Sequence, residues 1–298
     1  MNFASRSALG PDDLVLCAGT VPATDVAERV DVAAFTGYRG VGLRSGDCLQ
    51  VWEEGSLGTL RTGLAARGLE IGELDGMTHW APRHHAPGHE ATGQPGGRLR
   101  ERHDALWRVA EEVGARTLNV IEMDPETGPD DEMAEAFAVL CERAAGLGML
   151  VQLEPLPWTG IPDLAAAARI VRLADRPNGG LCVDTWHLLR SGQGPADLTA
   201  ELTGLVTGVQ VNDARAVPGG DLLEETQHHR LLPGAGDAQV ARVLATLRDA
   251  CCEAPVGVEV MSDELARLPA VTAATLAAEA TRAVLAEASR ARSPRAVT

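Results

Sequence analysis

Four apolar segments in the second half of the chain carry, at or near their ends, a side chain whose oxygen can bind a hard metal ion. These side chains are Glu154 in VQLEPLPW, Asp184 in LCVDTWH, Gln210 in GVQVND and Glu259 in GVEVMS. A carboxylate at the end of a buried segment costs free energy unless a charge or a hydrogen bond compensates it. Three carboxylates held close together would also repel one another. A single divalent cation bound by all four side chains would remove both costs.

The donor types indicate which ion would bind. Carboxylate and amide oxygens suit Mg²⁺ and Mn²⁺ better than a structural zinc site. We therefore expect one divalent ion, with Mn²⁺ or Mg²⁺ favoured and Co²⁺ or Zn²⁺ also compatible. His187 follows Asp184 by three residues, and we expect it beside the metal, where it can contact a substrate. The alternative for His187 is a capping or packing role.

A repeated pattern of elements must position these side chains. Helices with a 3.6-residue period, glycine-containing turns and short apolar strands alternate eight times along the chain. This pattern predicts an α/β fold, a closed (β/α)8 TIM barrel that uses residues 1–298 as one domain. An open doubly wound sheet is disfavoured because CAGTVPATD, after the first strand, lacks a GxGxxG turn. The carboxyl ends of barrel strands meet at one rim, so the four side chains should face one cavity.

Two connections are too long for simple turns. HWAPRHHAPGHEATGQPGGRLRERH follows the third predicted strand, and ARAVPGGDLLEETQHHRLLPGAGD follows the seventh. Long ordered loops at this rim are typical of lids or substrate walls, with a mobile surface loop as the alternative. The first connection contains His79, His84, His85 and His89. Their spacing fits no single ligand face, so we interpret them as solvent-exposed or substrate-lining rather than as metal ligands.

Composition excludes several classes of function. The net charge of −16 argues against a nucleic-acid or acidic-membrane partner. All 26 residues counted as lysine or arginine are arginine, which excludes Schiff-base chemistry on lysine. The six cysteines form no CxxC pair and are interpreted as small core residues. We find neither an apolar run of the ~20 residues a membrane span needs nor a signal peptide, and expect a soluble cytoplasmic protein.

With these motifs in view, the chain resembles the xylose isomerase-like TIM barrel superfamily, in the branch of sugar isomerases and epimerases that also contains endonuclease IV. The matching pieces are LEPLPW, DTWH, VQVND, RLLPGAGD and GVEVMS, within residues 151–261. VQVND followed by RLLPGAGD is similar to hydroxypyruvate isomerases, which carry glutamine rather than histidine as the third metal ligand. Ketose 3-epimerases and inosose isomerases and dehydratases share this framework.

The resemblance implies a role for each candidate residue. The implied metal ligands are Glu154, Asp184, Gln210 and Glu259. Glu154 and Glu259 would also be the acid/base pair, while His187 and Arg230 would hold substrate oxygens. This sequence departs from the family in a long insertion between Asn212 and Arg230, which would change the wall over the substrate.

The predicted function is isomerisation or epimerisation of an unphosphorylated sugar or related hydroxy-carbonyl compound by a divalent-metal-dependent enzyme. A carboxylate would remove the α-proton, and the metal, Arg230 and His187 would stabilise the resulting enediolate. Returning the proton to the other carbon isomerises the substrate, and returning it on the opposite face epimerises it. The alternative is a lyase on the same site, either a dehydratase of a cyclic polyol ketone or an enzyme that cleaves a C-glycosidic bond.

Two other classes are disfavoured. A DNA-repair endonuclease of this superfamily needs extra histidines, including an Asp-Arg-His run after strand seven, where this chain has HHRLL. Gln210 also stands where that enzyme would have a histidine ligand. A non-catalytic binding barrel has no need to retain all four ligands. We therefore expect a small sugar-like molecule as the partner, and leave assembly into a homo-oligomer open.

Overall fold

Eight parallel strands close into a barrel in sequence order. A computed structural model describes residues 5–85 and 96–291. The strands are β1 (Leu14–Leu16), β2 (Gly40–Arg44), β3 (Glu70–Met77), β4 (Thr117–Ile121), β5 (Leu150–Glu154), β6 (Gly179–Asp184), β7 (Val206–Val211) and β8 (Val256–Val258). β1 pairs with both β2 and β8, which closes the cylinder. The predicted (β/α)8 barrel is confirmed, whereas its extent as one domain over residues 1–298 stays a prediction.

Helices surround the barrel and return the chain from each strand to the next. The α-helices of the described ranges are α1 (Val26–Thr36), α2 (Ser45–Glu53), α3 (Leu57–Arg67), α4 (Gly96–Glu112), α5 (Asp130–Gly146), α6 (Leu164–Ala174), α7 (Thr185–Arg190), α8 (Ala200–Thr203), α9 (Leu222–His228), α10 (Val240–Asp249), α11 (Asp263–Ala266) and α12 (Ala270–Ala291). Within these ranges, no helix combines the length and the hydropathy that crossing a membrane requires.

Helix α6 shows why the sequence folds in this way. Asp163 precedes the helix, and its side chain accepts a hydrogen bond of 2.8 Å from the backbone N–H of Ala166. This contact satisfies one of the N–H groups that a helix start leaves unpaired. Leu164, Ile170 and Val171 are buried in the apolar layer between the helices and the barrel. Burial of that face, rather than helix propensity alone, fixes the position of α6.

The inside of the barrel is unusually polar just below the predicted site. Gln152 and Glu154 lie two residues apart in β5, so their side chains point to the same face of the strand. Gly208 in β7 leaves the space that the Gln152 amide occupies, since a Cβ at that glycine would lie 1.9 Å from Gln152 Oε1. Strand pairing sets Asp184 opposite Gln210, at the carboxyl end of the barrel.

The long connection after β7 is a folded segment. It contains α9, and two antiparallel bridges join Asp213 to Leu231 and His229 to Ser262. Glu225 of α9 is buried and accepts a hydrogen bond of 3.2 Å from Arg190 Nε. These contacts hold the segment against the rim of the barrel. They favour the interpretation of this connection as an ordered wall.

Candidate metal centre

The carboxyl ends of β5 and β6 bring three potential metal ligands together. Glu154 is the last residue of β5, Asp184 is the last residue of β6, and His187 lies in α7, which starts directly after Asp184. One carboxylate oxygen of each acid and one ring nitrogen of His187 lie within 4.8 Å of one another. All three side chains are buried. The structure therefore supports the predicted proximity of Glu154, Asp184 and His187.

Asp184 is surrounded by hydrogen-bond donors. Its Oδ1 accepts the backbone N–H groups of Trp186 at 2.8 Å and His187 at 3.0 Å, so Asp184 also caps helix α7. Its Oδ2 accepts Asn212 Nδ2 at 2.7 Å and Arg230 Nη1 at 2.9 Å. Burial alone would raise the pKa of Asp184, but Arg230 and these hydrogen bonds hold the pKa below its ordinary value. The side chain is therefore an ionised carboxylate.

Glu154 and His187 form the second part of the centre. Glu154 accepts a hydrogen bond of 2.5 Å from Asn119 Nδ2, and its Oε1 lies 3.4 Å from His187 Nε2. Burial raises the pKa of Glu154, and the nearby charges of Asp184 and Glu259 raise it further. Burial also lowers the pKa of His187 to about 3. The imidazole is therefore neutral at physiological pH and does not neutralise the carboxylates.

Arg230 contacts both Asp184 and Glu259, the third acid of the predicted site. Its Nη1 lies 2.9 Å from Asp184 Oδ2 and 3.2 Å from Glu259 Oε2, and the guanidinium is fully buried. Its Nε and Nη2 donate to Thr226, at 2.9 Å to the carbonyl oxygen and 2.7 Å to the hydroxyl. Burial raises the pKa of Glu259 to about 7 although Arg230 opposes the shift. Arg230 thus lies in the site as the charge partner of the acids, and its contact with substrate stays a prediction.

Gln210 provides the test of whether a cation fits. Its Nε2 donates a hydrogen bond of 2.9 Å to Glu73 Oε1. Its Oε1 is buried and has no hydrogen-bond partner within residues 5–85 and 96–291. A buried amide oxygen without a partner costs on the order of 1–3 kcal/mol, and binding a cation would remove that cost. The compact group of Glu154, Asp184 and His187, together with this amide oxygen, fits a divalent ion of the kind predicted. Glu259 is not part of that group and is related to Asp184 through Arg230, so its role as a ligand stays a prediction.

Several residues of the centre were missed by the sequence reasoning. Asn119 and Asn212 donate hydrogen bonds to Glu154 and Asp184 respectively. A signal for Asn212 was present, because it lies two residues beyond Gln210 and should share its face of β7. Asn119 had a weaker signal, as a polar residue inside the apolar segment TLNVI. Both keep their acidic partners oriented, as the outer partners of a metal ligand do.

Aromatic rings form one wall of the centre. The half-buried ring of Trp158 lies 5.6 Å, centroid to centroid, from His187 and 6.1 Å from Trp186. Trp158 is the last residue of the LEPLPW motif that contains Glu154. A flat apolar surface beside the acids suits the ring or carbon skeleton of a small substrate.

The connection after β3 differs from what we expected at one position. His84 Nε2 lies 3.3 Å from Glu122 and 3.5 Å from Asp124, and the His84 side chain is only 6% exposed. Solvent exposure is therefore wrong for His84, while the role of lining the substrate space stays a prediction. His89 and the side chain of His85 lie outside the described part of the chain.

The barrel agrees with what comparison of the sequence shows. The profile of the xylose isomerase-like TIM barrel family matches residues 30–287. The chain belongs to this family, and the resemblance drawn from the five motifs is confirmed.

The sequence is also similar to individual proteins of known activity. The chain is 29% identical over 261 residues to a 3-dehydroshikimate dehydratase of Pseudomonas aeruginosa; the match covers 86% of this chain and 38% of that protein. The chain thus spans less than half the length of that relative.

Two solved structures share the fold. The IOLI protein, solved with a zinc atom, has a TM-score of 0.76 at 18% identity, covering 92% of this chain and 98% of that one. D-allulose 3-epimerase from Methylomonas sp., in complex with D-allulose, has a TM-score of 0.71 at 17% identity, covering 95% and 99%. The proteins named here include a dehydratase and an epimerase.

Proposed function

We propose that this enzyme uses a divalent metal ion to remove a proton next to the carbonyl group of a small, unphosphorylated hydroxy-carbonyl compound, and that it then eliminates water. The observation that carries the proposal is the buried group of Glu154, Asp184 and His187, beside a Gln210 carbonyl oxygen that lacks a partner among the described residues. Such a set of donors is costly for a fold to keep dry unless a cation binds there.

The residues proposed to hold the ion are Glu154, Asp184, Gln210 and Glu259. A bound divalent ion would polarise the substrate carbonyl and acidify the neighbouring C–H group. Mn²⁺ and Mg²⁺ are the favoured ions, because all four of these residues would bind the ion through oxygen. Arg230 already compensates Asp184 and Glu259, which leaves its guanidinium close to any oxygen that becomes negative during the reaction.

The two glutamates divide the proton transfers. Glu154 takes the α-proton, and the electron pair of that C–H bond moves to the carbonyl oxygen. When this pair returns to carbon, the bond to the β-hydroxyl breaks. Glu259 gives a proton to the departing oxygen, which leaves as water. Solvent then takes the substrate proton from Glu154 and returns a proton to Glu259, so the enzyme regains its starting state.

Loss of water is favoured over the other outcomes by sequence. The relative that matches 86% of this chain at 29% identity is named a dehydratase of 3-dehydroshikimate, a β-hydroxy ketone on a six-membered ring. We propose a substrate of this chemical class. Trp158 supports a flat ring substrate, because its ring stands beside His187 at 5.6 Å.

Isomerisation or epimerisation of a sugar is the second candidate. It is favoured by the position of Glu154 at the end of β5 and Glu259 directly after β8, three strands apart around the eight-stranded barrel. Two carboxylates placed in this way could exchange protons with opposite faces of one substrate.

One experiment separates the outcomes. Metal-loaded protein is incubated in D₂O with 3-dehydroshikimate, with inososes and with ketoses, and products are followed by mass spectrometry. We expect loss of one water from the ring β-hydroxy ketone and no interconversion of the ketoses. Epimers labelled with deuterium would instead support the second candidate. Absence of both product and deuterium uptake across the panel would overturn the proposed carbon-acid chemistry. Glu154→Gln is the control for contaminating activity.

A further inference from the structure

We propose that Glu73 is a positioning residue that fixes the orientation of the Gln210 amide, so that the carbonyl oxygen of Gln210 stays available to the metal ion. The inference rests on the metal site of the proposed function. It extends that site to a residue of β3, a strand that supplies none of the proposed ligands.

Each carboxyl oxygen of Glu73 accepts a hydrogen bond from a different glutamine. Its Oε1 accepts Gln210 Nε2 at 2.9 Å, and its Oε2 accepts Gln152 Nε2 at 2.5 Å. Glu73 is itself buried, with 7% of its surface exposed. Both glutamine side chains thus turn their NH₂ groups toward Glu73, one to each carboxyl oxygen.

This orientation decides what Gln210 offers on its other side. An amide has nearly the same shape when it is rotated by half a turn, so its shape alone does not determine which end faces the site. With the NH₂ group held by Glu73, Oε1 lies on the opposite side of the amide, where it has no partner among the described residues. If the amide were rotated, two N–H groups would face the site, and these cannot bind a cation.

The strands around this triad provide the space it needs. A Cβ added to Gly208 would lie only 1.9 Å from Gln152 Oε1, so this position must be glycine to leave room for the amide. A Cβ added to Gly257 would lie 3.3 Å from Gln210 Cγ. Gln152 is not among the proposed ligands, and its oxygen faces the gap beside Gly208. Its hydrogen bond occupies the second oxygen of Glu73 and makes no contact with Gln210.

The test measures metal binding rather than turnover. Metal-free protein is titrated with Mn²⁺, and the free ion is followed by electron paramagnetic resonance. Glu73→Leu removes the acceptor of both amides, and we expect the dissociation constant to rise about 10- to 100-fold, the usual effect of losing an outer partner of a metal ligand. Water-proton relaxation by the bound Mn²⁺ should also increase, because a water molecule replaces the amide oxygen.

Gln152→Leu is the matched control. It removes the other hydrogen bond to Glu73 but leaves the contact with Gln210, so we expect Mn²⁺ binding to change less than about threefold, well below the loss of an outer partner. Wild-type affinity in Glu73→Leu would overturn the proposal, and so would an equal loss of affinity in both variants.

A charge-exchanged pair decides the question if Glu73→Leu does not fold. In the double variant Glu73→Gln with Gln210→Glu, the new amide at 73 can donate to the new carboxylate at 210 and accept from Gln152. We expect this variant to bind Mn²⁺ within about tenfold of wild type, because the oriented oxygen is kept. Loss of binding in a folded double variant would overturn the proposal. A wild-type protein that binds no Mn²⁺ would overturn both this proposal and the proposed function, whereas Mn²⁺ binding without turnover would count against the function alone.

Discussion

At the scale of single residues, we expect that the proton-transfer role of Glu154 and Glu259 can be separated from their role in binding the metal. Glutamine keeps the size of each side chain and one oxygen for the ion, but it cannot take or give the proton. We expect Glu154→Gln and Glu259→Gln to retain most of the bound metal and to lose on the order of 10²–10⁴-fold in kcat. Metal content by elemental analysis and single-turnover rates are the measurements.

Asp184→Ala is the comparison for these two variants. It should lose the ion, and it should also destabilise the fold because Trp186, His187, Asn212 and Arg230 lose their common acceptor. Glutamine variants that keep near-wild-type rates with metal bound would contradict the acid/base assignment.

Glu259 also predicts how the metal-free protein responds to pH. Burial raises its pKa from the ordinary 4.5 to about 7 in the folded state. A raised pKa stabilises the folded state at low pH, and this contribution is lost as the pH rises from about 4.5 through about 7. EDTA-treated wild type should therefore lose melting temperature over this range, and Glu259→Gln should lose less. Equal slopes in the two proteins would contradict the prediction, and saturating Mn²⁺ should reduce the slope in wild type.

At the scale of elements, Asp213 connects the end of β7 to the long connection that contains α9. Its Oδ1 accepts the backbone N–H of Ala214 at 2.9 Å and of Ala238 at 2.8 Å, and its Oδ2 accepts that of Gly234 at 2.9 Å. The bonds from Gly234 and Ala238 fix the RLLPGAGD turn, which begins at Arg230, against Asp213. We expect Asp213→Ala to raise KM at least tenfold by loosening this turn, and to cost about 1–3 kcal/mol of stability.

Asp221→Ala is the control for the same segment. Asp221 accepts a hydrogen bond of 3.0 Å from the backbone N–H of Glu224 at the exposed start of α9, away from the turn. It should lower stability by about 1 kcal/mol, as the loss of a helix cap does, with KM unchanged. If both variants change KM alike, the turn has no special role in holding the site. Steady-state kinetics and chemical denaturation provide the two measurements.

The elements also show why part of the site could be predicted and part could not. Glu154 and Asp184 were predictable because each ends an apolar run, and parallel strands of a barrel end at one rim. The role of Glu73 could not be predicted, because β3 has the sequence EIGELDGM, whose three acids and two glycines do not show which residues face the barrel interior. The register of the β2–β3 pairing also shifts along the strand. The placement of Arg230 depends on a bridge between distant segments, at His229 and Ser262, which no local pattern reveals.

At the scale of the whole molecule, the six cysteines report on the integrity of the fold. Cys251 is exposed and Cys252 is half-buried, whereas the remaining four are buried: Cys17, Cys48, Cys141 and Cys182. Burial raises the pKa of all four buried thiols, so little of the reactive thiolate is present. Alkylation of the native protein should modify Cys251 first and Cys252 slowly.

The buried thiols should react only when the barrel opens. Labelling followed by mass spectrometry in increasing denaturant should therefore show the four appearing together, at the unfolding midpoint. Early labelling of Cys17 or Cys182 in native buffer would show that the barrel interior is accessible.

The surroundings of Asp184 determine which site residues a relative would keep after losing its catalytic activity. Four donors converge on one carboxylate, and two of them are backbone N–H groups that start α7. A gene copy released from selection for catalysis would still need an acceptor there in order to fold, whereas Glu154 accepts a hydrogen bond from one amide and is easier to replace. Aspartate at this position in a distant copy would therefore be poor evidence of an active enzyme. Glutamate at the position of Glu154 would be the better marker when active lineages are separated from inactive ones.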